Sequence, residues 1–256
     1  MNIYVLLKEI KESEEDFSIS NNQLHLDSVQ YVINPYDEYA IEEALRLKDK
    51  HDATITLVTL GNEKRDFIYK ALAMGADEAV EIQLNASSID WDAYTTAMIM
   101  SRFFEINKAD LILCGQMSID EASGQVGPRL AESLGFPCIS SIKQIEVIGE
   151  KAQVHKSTEG NIEVVEANLP VVGTCLQSVK TPRYPTLPGI MKAKKKRFET
   201  LTIEDLDLNL DMLQSKTKVI GYTIPERKSD VELLEGNSKQ QAEALLQILK
   251  NKEKVL

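Results

Sequence analysis

Four short apolar runs alternate with four helical patterns through the first 140 residues, and this rhythm most narrows the possible folds. "IYVLL", "TITLVTLG", "EAVEIQ" and "ADLILCG" read as buried strands. "NPYDEYAIEEALRLKD", "FIYKALAMGA", "WDAYTTAMIMSRFFEIN" and "SGQVGPRLAESLG" carry the helical period. In the first of these, Ile41, Ala44 and Leu45 fall on one face, Asn34 suits the N-cap, and Pro35 suits the first helical position. Gly75 is placed to end the second. Strands that alternate with helices of this length pair in parallel through right-handed crossovers. The expected fold is therefore α/β, a doubly wound and mostly parallel sheet of Rossmann-like, nucleotide-binding type.

After Ile142 the pattern becomes β-rich. "KQIEVIGEKAQVHKST" and "NIEVVEANLPVVGTCLQSV" predict strands with turns at Gly149-Glu150 and Gly160-Asn161, an antiparallel extension of the sheet edge. The segment "KESEEDFSISNNQLHLD" reads as a loop or hairpin, and "ETLTIEDLDLNLDM" has little periodicity. "KVIGYTIP" predicts one more strand, and "SKQQAEALLQILKN" a final helix. Ser238 and Gln241 there match a capping box, and Ala242, Leu245, Leu246 and Leu249 form an apolar stripe. The expected division is an α/β domain with its antiparallel extension over residues 1–190 and a C-terminal arm with the final helix over 191–256.

Several function classes are excluded early. A formal charge of -11 argues against a general nucleic-acid binder. No apolar run approaches the ~20 residues needed to span a bilayer, and "MNIYVLLKEI" lacks the basic flank of a signal peptide, so a cytoplasmic location is expected. Cys114, Cys138 and Cys175 form no Cys-x-x-Cys pair, and His25, His51 and His155 have no metal-ligand spacing. No Gly-x-Gly-x-x-Gly, Walker A loop or Gly-x-Ser-x-Gly elbow occurs, which leaves ordinary dehydrogenases and hydrolases without a basis.

The stretch that carries most chemistry is "CGQMSIDEASGQVGPRL". It leaves the fourth strand at the carboxyl edge, where open α/β sheets bind ligands. Gly124 and Gly127 flank Gln125 at the start of a helix, whose free N–H groups favour a phosphate. Ser123 and Gln125 add side-chain donors. The competing reading is a plain helix start with Ser123 as its cap. The helix beginning at Asn34 points to the same edge, and Lys8, ending the first strand, is either a phosphate partner or a solvated lysine.

A second feature is "YPTLPGIMKAKKKR", where five of the six residues from Lys192 to Arg197 are basic. Pro185 and Pro188 restrict their neighbours to extended conformations, which leaves Leu187 as an apolar anchor. Ile190 and Met191 either pack behind it or join the contact with Tyr184, and the lysines would steer acidic partners. Alternatively the basic run is a solvated face, or it pairs with Glu204, Asp205 and Asp207.

Taken together, "NPYDEYAIEEALRLKD", "ALAMGAD", the Gly115–Gly127 loop and "RYPTLPGIMKAKKK" resemble the β subunit of electron transfer flavoprotein, in order and over nearly the whole chain. The resemblance implies an electron carrier rather than an enzyme. It implies a heterodimer with a larger α subunit that holds most of the FAD site, and an AMP buried in the β subunit. It also implies client acyl-CoA and related dehydrogenases, such as those of fatty acid β-oxidation, and a membrane quinone oxidoreductase as acceptor, with no insertion of this chain into the membrane.

Carried over by position, the AMP contacts are Leu6, Lys8, Asn34, Pro35, Tyr36, Asp37 and Leu60, with Gly115, Gln116, Met117, Ser118, Ile119, Asp120, Glu121, Ala122, Ser123, Gly124, Gln125 and Val126 forming the main loop. The docking loop is Tyr184, Pro185, Leu187, Pro188, Ile190 and Met191. The chain departs from family patterns at Val126, where a hydroxyl is lost, and at Ala122, where electron-bifurcating relatives with a second FAD carry an acidic residue. AMP is the expected ligand. Near Ser13, where some relatives place an aromatic residue, this chain reads "KESEED". A stand-alone adenine-nucleotide sensor is the alternative. An ATP-using ligase-like enzyme is disfavoured, because "LLKEIKESEED" has no glycine after the first strand.

Overall fold

A computed structural model describes residues 1–11, 17–26, 30–61, 65–83, 91–177, 180–209, 213–224 and 233–255. The segment around Ser13 lies outside the described residues. In chain order the elements begin with β1 (Asn2–Leu7), β2 (Glu9–Lys11), β3 (Phe17–Ser20), β4 (Gln23–Leu26), β5 (Tyr31–Ile33) and α1 (Pro35–Lys48). There follow β6 (Thr54–Leu60), α2 (Asp66–Met74), β7 (Glu78–Gln83), α3 (Ala93–Ile106), β8 (Leu111–Gly115) and α4 (Val126–Leu134). The β-rich part is β9 (Cys138–Ile148), β10 (Lys151–Thr158), β11 (Asn161–Asn168) and β12 (Val171–Cys175). It is followed by α5 (Leu187–Ala193), β13 (Arg197–Thr202) and α6 (Ser238–Gln247).

Nine strands form one sheet in the order β11-β10-β9-β12-β8-β1-β6-β7-β13. From β9 to β13 neighbouring strands are parallel, and β9, β10 and β11 add an antiparallel edge. The expected α/β doubly wound sheet is thus present, with the expected edge extension and its two turns. Along β1, Ile3, Val5 and Leu7 face one apolar layer with α1 and α2, while Leu6 faces a second with α3 and α4. The second layer includes a mutually edge-on aromatic group, Tyr4, Phe103 and Phe104, with centroids 5.1 to 6.0 Å apart. Such pairs add about 0.5–1.5 kcal/mol each beyond burial.

The chain separates into two compact units. One comprises Met1–Ser18 and His25–Ile220; the other comprises Ile19–Leu24 and Gly221–Leu256. Residues 191–220 therefore group with the sheet-bearing unit. Arg197–Thr202, aperiodic in sequence, pair in parallel with β7 because Phe198 and Leu201 each find an apolar layer.

Three local expectations are corrected. Residues 218–224 of "KVIGYTIP" form no strand: Val219, Ile220 and Ile224 are exposed, and among the described residues the segment joins no sheet, Tyr222 N–H donating instead to Asn22 O at 3.1 Å; Pro225 lies outside the described residues. The last helix is capped one residue earlier than expected. Asn237 accepts from the N–H groups of Lys239 and Gln240, and the Gln240 side chain accepts from Asn237 N–H at 2.9 Å. Finally, α4 starts at Val126 with Gln125 at its N-cap, so Ser123 is not the cap.

Candidate functional site: a carboxyl-rim cavity and an exposed helix

β1 sits at the centre of the parallel region, with the chain running outward through β6, β7 and β13 on one side and through β8 and β12 on the other. The switch point between β1 and β8 is where a crevice opens in such sheets. A cavity of about 360 Å³ lies there. That is near the small end of the ~300–1,000 Å³ usual for ligand sites.

Its floor is held by two side chains at the first turn of α1. Asp37 is buried, and its carboxylate accepts from Lys8 N–H at 2.8 Å, Gly115 N–H at 2.9 Å and the Asn34 amide at 3.0 Å. Burial pushes the Asp37 carboxyl up to about 7, against the pull of these donors and the Lys8 charge. Asn34 does not cap α1 with its side chain. Instead its amide nitrogen also donates to Met117 O at 2.9 Å, and its oxygen accepts from Ile119 N–H at 3.3 Å. The pair thereby joins the ends of β1 and β8 and shapes the loop between. Gly115 permits this closeness, because a Cβ there would stand 2.5 Å from an Asp37 oxygen and 2.6 Å from Tyr36 Cβ.

The mouth is polar. The Lys8 ammonium donates to Ser118 Oγ at 3.2 Å and pairs with Asp120 at 3.0 Å and Glu121 at 2.9 Å. It is the one cationic side chain among the described lining residues. Gln116 accepts from Ser141 N–H at 2.8 Å and from the Thr174 hydroxyl, which fixes the loop's start. Gln125 Oε1 accepts from Arg129, leaving its amide nitrogen free to donate. The first N–H groups of α4 have no intrahelical acceptor and line the same wall.

Of the residues singled out from sequence, Leu6, Lys8, Asn34, Asp37, Leu60, Gly115, Gln116, Met117, Ser118, Glu121, Ser123, Gly124, Gln125 and Val126 line this cavity. Pro35, Tyr36, Ile119, Asp120 and Ala122 are adjacent but do not line it. Sequence reasoning missed Trp91, Asp92, Ala93, Thr96 and Met100, which close the side opposite α1. The signal was available: β7 is parallel to β1, so the start of α3 must rise at the same rim. Asp92 caps α3 through Thr95 N–H at 2.9 Å and also accepts from the N–H groups of Lys216 and Thr217. Burial opposes ionisation of Asp92 but is outweighed by these donors, which hold its carboxyl well below the usual carboxylate range.

The second candidate surface lies on α5. Leu187 is not extended between two prolines, as expected, but opens a seven-residue helix with Pro188 in its first turn. The reason is local: Thr186 is an extended N-cap whose hydroxyl accepts from Gly189 N–H at 3.1 Å. Tyr184, Leu187 and Met191 are 82%, 79% and 76% exposed, and Ile190 is about half exposed. Lys192, Lys194 and Lys195 are exposed beside them. The alternative pairing of the basic run with Glu204, Asp205 and Asp207 does not occur among the described contacts; Asp207 pairs with Arg102.

Among the described residues no cluster of His, Cys, Asp and Glu is arranged to hold a metal, and no helix is long and apolar enough to cross a membrane. Residues 23–206 match the family model described as electron transfer flavoprotein domain. The chain is 42% identical over 257 residues to "Electron transfer flavoprotein subunit beta" of Bacillus subtilis, covering all of both chains. It is 33% identical over 258 residues to the protein of that name from Thermoanaerobacterium thermosaccharolyticum, covering 98% of this chain and 99% of the other. The mouse protein of that name is 34% identical over 206 residues, covering 79% of this chain and 80% of the other. The chain belongs to the electron transfer flavoprotein family, as a β subunit.

Proposed function

We propose that this chain is the adenylate-holding and docking subunit of a two-subunit electron carrier. AMP occupies the rim cavity as internal scaffolding. FAD, held mainly by an α subunit, supplies the redox chemistry, one electron at a time. Client acyl-CoA and related dehydrogenases dock on α5, and a membrane quinone oxidoreductase takes the electrons onward.

The observation that carries this reading is the convergence at one rim of Lys8, Ser118, Ser123, the Gln125 amide and the open N–H groups of α4. These are donors suited to a phosphate. The charge balance supports a monophosphate: among the described lining residues Lys8 is the one cation, and it already shares its charge with Asp120 and Glu121. The cavity volume also suits AMP better than a second FAD. For the α subunit, the support is α6, whose residues are all unburied although Leu245 and Leu246 belong to an apolar stripe. Such a helix needs a partner surface.

The test is to denature the purified two-subunit carrier and count the released nucleotides. One FAD and one AMP per heterodimer is the expected result. Two FADs would indicate the electron-bifurcating form, and no adenylate at all would overturn the assignment of the rim.

A further inference from the structure

The basic run after α5 is not uniform. Lys192, Lys194 and Lys195 point to solvent, but Arg197 pairs with Glu78 at 3.4 Å and Glu199 at 3.0 Å. The Lys196 ammonium turns inward and donates to Leu72 O at 2.9 Å and to Ala76 O. Leu72 O lies in the last turn of α2, where it also accepts from Gly75 N–H at 3.2 Å, and Ala76 O follows the Gly75 cap; a cation is favoured at such a helix end. Lys196 is half-buried there, and the loss of solvent lowers its pKa.

Other contacts fix the same seat. A Cβ on Gly189 would stand 2.5 Å from Ala73 O, so α5 lies against the last turn of α2 as closely as a glycine allows. Ala193 is buried in the core layer shared with α2. At the root of the segment, the Arg183 guanidinium forks onto Glu42 at 3.0 Å and reaches Asp49 at 2.9 Å, tying the chain to α1.

We propose that Lys196 and Gly189 are positioning residues for client docking: by seating α5 on the end of α2 they set where Leu187, Ile190 and Met191 stand, without touching the client. The inference rests on the docking reading given above and adds a division of labour. Lys196 acts through position, whereas Lys192, Lys194 and Lys195 act through long-range attraction to a dehydrogenase with an acidic surface.

The two roles separate by ionic strength, because steering is screened by salt and position is not. The assembled carrier is reduced by a purified acyl-CoA dehydrogenase over a range of salt, using Lys196→Met, Lys196→Arg, Gly189→Ala, Lys195→Met and Leu187→Ala. Lys196→Met and Gly189→Ala should raise the KM for the carrier about 10-fold, the scale of a displaced anchor, with the salt slope and flavin content of the wild type. Lys196→Arg, which still donates to the two carbonyls, should restore most of the loss. Lys195→Met should flatten the salt slope. If Lys196→Met flattens the slope as Lys195→Met does, Lys196 is a steering charge and the proposal fails. It also fails if Leu187→Ala raises KM while Lys196→Met and Gly189→Ala do not. If Leu187→Ala has no effect, the docking reading falls, and this inference with it. Should Lys196→Met not assemble, Gly189→Ala carries the same comparison.

Discussion

Asp37 and Gly115 meet at 2.9 Å, the carboxylate in the first turn of α1 accepting the backbone N–H at the end of β8. Through this contact and its bond to Lys8 N–H, one side chain holds the two strand ends that flank the switch point. The floor of the cavity is therefore braced by an internal carboxylate.

Asp37→Asn keeps the shape but presents an amide N–H to backbone donors. An unsatisfied buried donor costs about 1–3 kcal/mol, so the melting temperature of the carrier should fall by several degrees and its adenylate content should drop. The pH dependence has a definite sign. Because burial raises the folded pKa to about 7, above the unfolded value, the stability from keeping Asp37 protonated is fully present below the unfolded pKa, near ~3.9, and is lost as pH rises through about 7. The stability difference between wild type and Asp37→Asn should therefore narrow from pH 5 to pH 8, as read by denaturant unfolding. A difference that widens would show the carboxylate to be the favoured form.

Gly124 has a φ of +60° in the loop that leads into α4. Gly124→Val forces a β-branched residue into a conformation that L side chains avoid, at a cost of about 1–3 kcal/mol. Adenylate should be retained less well through size-exclusion chromatography of the carrier, and assembly should weaken. Unchanged adenylate content in this variant would contradict the phosphate seat.

Trp91, the sole tryptophan of the chain, lines the cavity opposite α1. An aromatic ring there can stack on a base, a contact worth about 1–3 kcal/mol. Removing the adenylate should change an emission component that is missing from Trp91→Phe. Trp91→Ala should weaken retention roughly 10- to 100-fold by that energy. Identical emission with and without the adenylate would place the base elsewhere.

Leu187 stands 79% exposed at the tip of α5. Leu187→Ala should slow reduction by the client dehydrogenase about 10- to 30-fold, as loss of an interface anchor does, while flavin content stays constant. Loss of flavin in that variant would mean that α5 packs against the flavin-bearing subunit instead.

Much of this was legible in the residues. The alternation from "IYVLL" to "ADLILCG" gives the parallel sheet because strand and helix periods are written in local apolar spacing. The loop after Cys114 could be placed at the carboxyl rim by topology alone. What stayed hidden depends on distant partners. Asn34 reads as a cap but serves to brace Met117 and Ile119, and nothing near Asn34 in the chain announces them. Lys196 reads as one more charge because its acceptors are backbone carbonyls, which have no residue signature. β13 escaped because an edge strand with one partner needs only Phe198 and Leu201 to anchor it, too few for a period.

β13 follows α5 after a short turn and runs parallel to β7 in register from Arg197 opposite Glu78 to Thr202 opposite Gln83. A pull on α5 thus loads a ladder of bonds along its length, in shear, instead of peeling them open one at a time. The end of α5 is thereby fastened to the edge of the main sheet instead of to a free loop.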